Sequence, residues 1–369
     1  ITFHMASKEQ GEIPKDIAPD VTNEMNFKNT YATVFGRFGA AVSMQELRHP
    51  LILSGIKEQY TSITLGNEMK PDFLLNSFGG IKLLTIEEAK KKGYIIPENY
   101  KEKTVPDFYY DNVDEALRIC AANGLELRAH TLLWHEQTET WFFREGYSFD
   151  NGFVTPEVMD ARIEYYIRNV MNYVYNHEYG HLIYAWDVVN EYFHSDPTTS
   201  DWLMVYGEQG LKPSFVKLAY QVADDVLRDF GIRDKVSLIF NDYNTFVVNW
   251  YANTPEALIS IVKFINSDGK ICDGIGMQGH MDVYWPEDAN TFTDTVKMFL
   301  SEGLEVQITE LDITIRNPQR NSEKERRERF KKVFTDLLEI KRDGGNITSL
   351  TIWGIADNTS WLKEFTPLL

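Results

Sequence analysis

The sequence predicts an α/β fold in which eight parallel strands close into a barrel ringed by helices, and three features predict it. Short, β-rich apolar runs recur eight times along the chain. Longer stretches with helical spacing of apolar residues separate them. Most of the runs also end in a polar or aromatic cluster, as expected when one end of every strand faces a common rim.

The first run covers 37–43 and is the plainest, apolar almost throughout. The second, 62–68, ends in Asn67-Glu68, and the third, 125–135, in Trp134-His135. The fourth, 184–191, closes on Asn190-Glu191, and the fifth, 237–244, on Asn241-Asp242-Tyr243-Asn244. Gln278-Gly279-His280 ends the sixth, 273–280; Glu310-Leu311-Asp312 lies near the end of the seventh, 305–313. The eighth, 349–357, carries Trp353. Amphipathic stretches such as 161–177, 213–230 and 321–342 lie between runs. Strand–helix alternation signals βαβ units and a parallel sheet, and eight such units close a (β/α)8, or TIM, barrel. One polar strand end is ordinary loop chemistry. Seven on one face read as a binding rim.

A chain of 369 residues fits one such barrel, since barrels routinely exceed 250 residues as a single unit. Residues 1–26 differ: a polar lead-in with Lys8-Glu9-Gln10-Gly11-Glu12, Pro14 and Pro19, read as a tag or as a linker from a removed module. Residues 27–369 form the expected catalytic barrel. Lys plus Arg is 37 against 55 Asp plus Glu, a net charge of −18 and a pI near 4.9. Phosphate affinity needs clustered cations, so nucleic acid is a poor partner, whereas a neutral polysaccharide meets no such penalty. No apolar run approaches the roughly 18 residues of a membrane span, and no basic stretch followed by an apolar one opens the chain. Aromatic residues make up 13%, which serves a large core and also suits binding of sugar rings. Cys120 and Cys272 fit no metal spacing and read as two inert thiols.

Glu191 and Glu310 stand out because they fall on the fourth and seventh strands, which face one another across a barrel mouth. Two carboxylates flanking a bond are the minimum equipment for glycoside hydrolysis: one attacks the anomeric carbon while the other protonates the departing oxygen. A glutamate at a strand end is more commonly a solvated side chain. The flanking residues change that balance. Gly66-Asn67-Glu68-Met69-Lys70, Arg128 through His135, and Trp186-Asp187-Val188-Val189-Asn190-Glu191 are followed by Asn241 through Asn244 and Gly276-Met277-Gln278-Gly279-His280. Ile308 through Ile313, Trp353-Gly354 and Ser360-Trp361 complete the set. In this order, from about Phe35 to Trp361, the chain resembles glycoside hydrolase family 10, the barrel xylanases.

The resemblance implies retaining endo-hydrolysis of β-1,4-xylosidic bonds, with no cofactor and no metal. Glu191 would be the acid/base and Glu310 the nucleophile. His280 matches the histidine that hydrogen-bonds the nucleophile, with Asp312 behind it, and Gln278 the side chain that steers the acid/base group. Asn190, His130 and Lys70 match residues that hold hydroxyls of the sugar at the cleavage point and its neighbour. Asn67, Trp134 and Gln137 match further contacts on the non-reducing side, which Trp353 and Trp361 wall. Tyr243 matches an aromatic contact beyond the scissile bond. A donor at the 2-hydroxyl, Asn190's implied role, gains strength as oxocarbenium character develops. A histidine between a glutamate and an aspartate holds the glutamate ionised. Trp134 and Trp186 also read as barrel packing, and His135 as structural. His49, His177, His181 and His194 carry no motif and read as surface or loop groups; the charged run from Glu323 to Lys332 reads as a solvated helix face.

The expected partners are xylan and xylo-oligosaccharides, with a carbohydrate-binding module in the parent protein, no nucleic acid and no membrane. The expected location is extracellular or cell-surface. Two departures stand out. Gly66 replaces a usual glutamate, either removing a sugar contact or serving the backbone. The chain stops eight residues after Trp361, where the family continues into its eighth outer helix. The expectation is a ring lacking that helix within this chain, its gap filled by residues 1–30, filled by a neighbour, or left exposed. Two other functions compete. A glucanase would need room for a hydroxymethyl group that Trp353 and Trp361 crowd. A binding-only barrel would be expected to have lost a carboxylate, and both remain.

Overall fold

The computed structural model describes residues 26–196, 198–247, 254–317 and 323–368. Its principal strands are β1 (Phe38–Val42), β2 (Ser62–Leu65), β3 (Glu126–Trp134), β4 (Ile183–Asn190), β5 (Ser237–Asp242), β6 (Gly274–Met277), β7 (Glu305–Thr314) and β8 (Ile347–Ile352). They hydrogen-bond in the order β8-β1-β2-β3-β4-β5-β6-β7, and β7 also pairs with β8, closing the (β/α)8 barrel. Each expected run overlaps one of these strands. The chain divides into two compact units: residues 65–276, and 26–64 together with 277–368.

In the 65–276 unit, β3, β4 and β5 run parallel, with Ala129 opposite Trp186, His130 opposite Asp187, and Asn190 opposite both Trp134 and Asn241. Every residue of β4 is buried, as a strand covered on both faces should be. Inside this sheet Arg128 and Asp187 form an ion pair with both side chains fully buried. Burial, the largest single influence, would raise the Asp187 pKa; the Arg128 charge together with the hydrogen bonds from His130 and Arg128 outweighs it and leaves the carboxyl below its ordinary value. The long helix Pro156–Asn176 starts with proline at its first turn, where the missing N–H costs nothing. It buries Met159, Ile163, Ile167, Val170 and Val174 at three- and four-residue intervals, each contributing about 1.5–3 kcal/mol. Trp186 is fully buried, its indole N–H 2.7 Å from the Tyr175 hydroxyl, so it packs the barrel. Cys120 and Cys272 are free, buried thiols, each pushed up to about 12 chiefly by burial.

In the second unit, β1 and β7 both run parallel to β8, with Phe38 opposite Leu350 and Ile308 opposite that same leucine. The expected strand over 273–280 is not continuous. Gly279 takes φ +81°, a conformation open to glycine without strain, and the chain resumes as a short strand, His280–Asp282, paired with β7 so that His280 lies opposite Asp312. The charged run from Glu323 belongs to the helix Glu323–Arg342, but it is not wholly solvated. Arg326 and Arg329 are buried, because residues three apart share a helix face. Arg326 pairs with Glu323 at 2.6 Å, and Arg329 donates to the Pro286 carbonyl.

Among the described residues no α-helix follows β8, only the turns Asp357–Thr359 and Lys363–Phe365. An apolar groove lies in this unit, lined by Phe27, Leu51, Ile52, Tyr60, Ile355 and Leu368, with Leu51 80% exposed. Residues 1–25, expected as lead-in and named as one possible filler, lie outside the described residues. No described helix is long and apolar enough to cross a membrane.

Candidate active site

Glu191 follows the last residue of β4 directly, and its backbone is left-handed at φ +56° and ψ +40°. For a residue with a β-carbon that conformation costs on the order of 1–2 kcal/mol and needs its surroundings to impose it. They do. The Glu191 amide donates to the Asn241 carbonyl at 2.9 Å, and its own carbonyl accepts from the His194 amide at 3.1 Å. The carboxylate is set by Trp134, whose indole N–H donates to Glu191 Oε2 at 2.8 Å. Asn190, buried beside it, accepts at Oδ1 from the Asn241 side-chain Nδ2 at 2.9 Å.

The polar groups expected on the non-reducing side form one network. Lys70 donates to Asn67 at 3.2 Å and to Gln137 at 2.8 Å, and its ammonium sits 4.8 Å from the centre of the Trp134 ring. Gln137 passes the network on to Asp72 at 3.2 Å. His130 Nδ1 lies 2.8 Å from Asp187 Oδ2, so the buried Arg128–Asp187 pair fixes its ring. His135 is driven down to about 4 by burial, then by neighbouring His194, and is neutral at ordinary pH. Two residues without an assigned role complete this unit's part of the site. His194, read from sequence as a surface or loop group, is 2% exposed at its side chain. It lies 2.9 Å from fully buried Asp242, and its ring stacks on Tyr243 with centroids 3.5 Å apart. The only signal in the sequence was position: His194 lies one turn past Glu191, and Asp242 stands directly before Tyr243.

The other unit gathers the remaining candidates around Glu310, on the inner part of β7. Its amide donates to the Gln278 carbonyl at 2.9 Å, which holds these two neighbours in register. His280 bridges two carboxylates: Nε2 is 3.3 Å from Glu310 Oε2, and Nδ1 is 2.9 Å from Asp312 Oδ1. Burial alone would lower the His280 pKa. The Asp312 charge and hydrogen bond, then those of Glu310, override it and raise the imidazole to about 10. At neutral pH the ring is therefore a cation donating to both partners. Trp361 donates its indole N–H to Asp312 Oδ2 at 3.1 Å and meets the His280 ring edge to face at 5.1 Å. Its large exposed surface, 63%, leaves that indole face open. Trp353 is partly exposed and its amide donates to the Leu311 carbonyl at 3.1 Å. Among the described residues no three His, Cys, Asp or Glu side chains converge in a way that could hold a metal ion.

The family model described as Glycosyl hydrolase family 10 matches residues 26–369. Endo-1,4-beta-xylanase A of Butyrivibrio fibrisolvens is 40% identical over 93% of this chain and 80% of its own length. Endo-1,4-beta-xylanase B of the same organism is 34% identical over 92% of this chain, which spans about half, 49%, of that relative. Among solved structures, the CBM22-1–GH10 modules of Clostridium thermocellum xylanase 10B, complexed with xylohexaose, superimpose with a TM-score of 0.75 at 27% identity. That match covers 93% of this chain and 64% of theirs. The intracellular xylanase TsXylA of Thermoanaerobacterium saccharolyticum shares the fold, with a TM-score of 0.71 over 94% of this chain and 95% of its own, at 24% identity.

Proposed function

This chain belongs to glycosyl hydrolase family 10, and on that footing we propose that it hydrolyses internal β-1,4-xylosidic bonds of xylan with retention of configuration. The observation that carries the assignment of roles is the difference between the two carboxylates' partners. Glu310 faces a protonated imidazole that is itself held by Asp312. A cation at hydrogen-bond distance favours the ionised carboxylate, which is the form a nucleophile needs. Glu191 faces a neutral indole N–H, a partner compatible with a group that must carry and release a proton.

In the first step Glu310 Oε attacks the anomeric carbon as the glycosidic bond breaks, and Glu191 gives its proton to the departing oxygen. In the second, Glu191 takes a proton from water, whose oxygen displaces Glu310 and returns it to the carboxylate. Asn190 supplies an amide to the 2-hydroxyl, and Gln278 matches the family's side chain that steers the acid/base group. Lys70 and His130 hold hydroxyls on the non-reducing side, Asn67, Trp134 and Gln137 make further contacts with the sugar there, and Trp353 and Trp361 supply indole faces. Tyr243 carries the sugar that departs. The uncharged polymer explains why a chain of net charge −18 meets no electrostatic penalty. A polymer of that size also fits an extracellular or cell-surface setting.

Reducing-sugar release from xylan, cellulose and barley glucan, run side by side, tests the substrate. Xylan should be cut at least an order of magnitude faster than the glucans. An NMR time course tests the stereochemistry: the β-anomer should accumulate first, and an initial α-anomer would refute retention.

A further inference from the structure

We propose that His194 is a positioning residue for the leaving-group side of the reaction, holding Tyr243 as a platform for the departing sugar and tying it to the backbone of Glu191. The inference rests on the reading of Glu191 as acid/base and of Tyr243 as the reducing-side contact.

Three contacts form a closed circuit, and a fourth ties it to Glu191. The His194 amide donates to the Glu191 carbonyl at 3.1 Å, in the turn that follows the left-handed glutamate. The His194 ring, with its side chain 2% exposed, meets Asp242 Oδ1 at 2.9 Å. Asp242 Oδ1 also accepts from the Tyr243 amide at 2.8 Å. Tyr243 then lies on the imidazole, its ring centroid 3.5 Å away and its plane within 16°. A tyrosine at a strand end has free rotation about its side-chain bonds; this one has a flat, immobilised partner on one face. A sugar stacked on the opposite face would complete a sandwich. The effect of the imidazole passes through Tyr243 and through the Glu191 backbone. A loop-stabilising role alone would ask for the His194–Asp242 bond. It would not ask for the ring to lie parallel to a tyrosine at the rim.

The test compares xylotetraose, which has a sugar on the departing side, with an aryl xylobioside, which places only an aryl group there. The quantity read is the ratio of kcat/KM between them, with each variant's fold checked by its Tm. His194→Asn keeps a donor near the imidazole Nδ1 and removes the ring, and the ratio should fall about three- to tenfold, as loss of one aromatic contact does. His194→Phe keeps the platform and should hold the ratio within about twofold. Tyr243→Ala should lower the ratio at least as far as His194→Asn. Asp242→Asn is a further variant, read if His194→Asn does not fold, and should also lower it. A wild-type ratio in His194→Asn beside a lowered one in Tyr243→Ala overturns the inference alone. An unchanged ratio in Tyr243→Ala overturns the assignment of Tyr243, and the inference with it.

Discussion

Replacing His280 with glutamine tests the electrostatic core of the proposed nucleophile site. The imidazole is raised from an ordinary 6.5 to about 10 although burial acts in the opposite direction, because Asp312 and Glu310 both favour its protonated form. The interval between those values corresponds to roughly 5 kcal/mol in favour of the charged ring. A group whose pKa is raised on folding contributes its stability fully below the unfolded value and loses it as pH climbs through the folded one. The wild type should therefore lose stability between about pH 6.5 and 10. Glutamine does not titrate, and in its place the fully buried Asp312 and its neighbour Glu310 lack a cation. Breaking a buried pair in this way costs about 3–5 kcal/mol. The gap in unfolding free energy between wild type and His280→Gln should thus be several kcal/mol at pH 6 and shrink as pH approaches 10. Denaturant titrations at a series of pH values measure it, and the variant subtracts every other group that titrates in that range. Ring resonances of His280 followed by NMR give the midpoint directly. A gap constant from pH 6 to 10, or a midpoint near 6.5, would refute the reasoning.

Three further outcomes are expected. Glu191→Ala should lower kcat/KM on xylan by about 10²–10⁴, the range for a general acid, and far less on aryl xylobiosides with good leaving groups; equal loss on both would remove Glu191 from that role. Arg128→Leu leaves Asp187 buried without its cation and should cost about 3–5 kcal/mol in chemical denaturation, whereas a cost below about 1 kcal/mol would show that the pair is not desolvated. Gly66→Glu should restore a charged hydrogen bond to the second sugar, worth about 1.5–3 kcal/mol or roughly tenfold to a hundredfold. The gain should appear on aryl xylobiosides and not on aryl xylosides, which lack that sugar. A collapse in Tm, or the same change on both, would instead assign Gly66 to the backbone.

The sequence by itself determined the barrel and the candidate carboxylates. Both follow from local rules: apolar runs of strand length alternate with helical spacing, and polar residues collect where each strand reaches the rim. Every expected run therefore overlaps an observed strand, with Glu191 just past β4 and Glu310 within β7. What only the tertiary structure decided is which side chains lose water and which partner each then takes. His194 and Asp242 are 48 positions apart, and nothing local to either announces a buried pair. His280 had a named partner from resemblance, but its charge state needed the distances to both carboxylates and the burial of those two groups. Gly279 breaks an otherwise unremarkable run by taking a positive φ, which brings His280 into register with Asp312. Arg326 and Arg329 sit in a run that reads as solvated, yet the helix turns them inward. Periodicity is written in neighbours along the chain, whereas desolvation and charge pairing are set by neighbours in space, which the fold alone supplies.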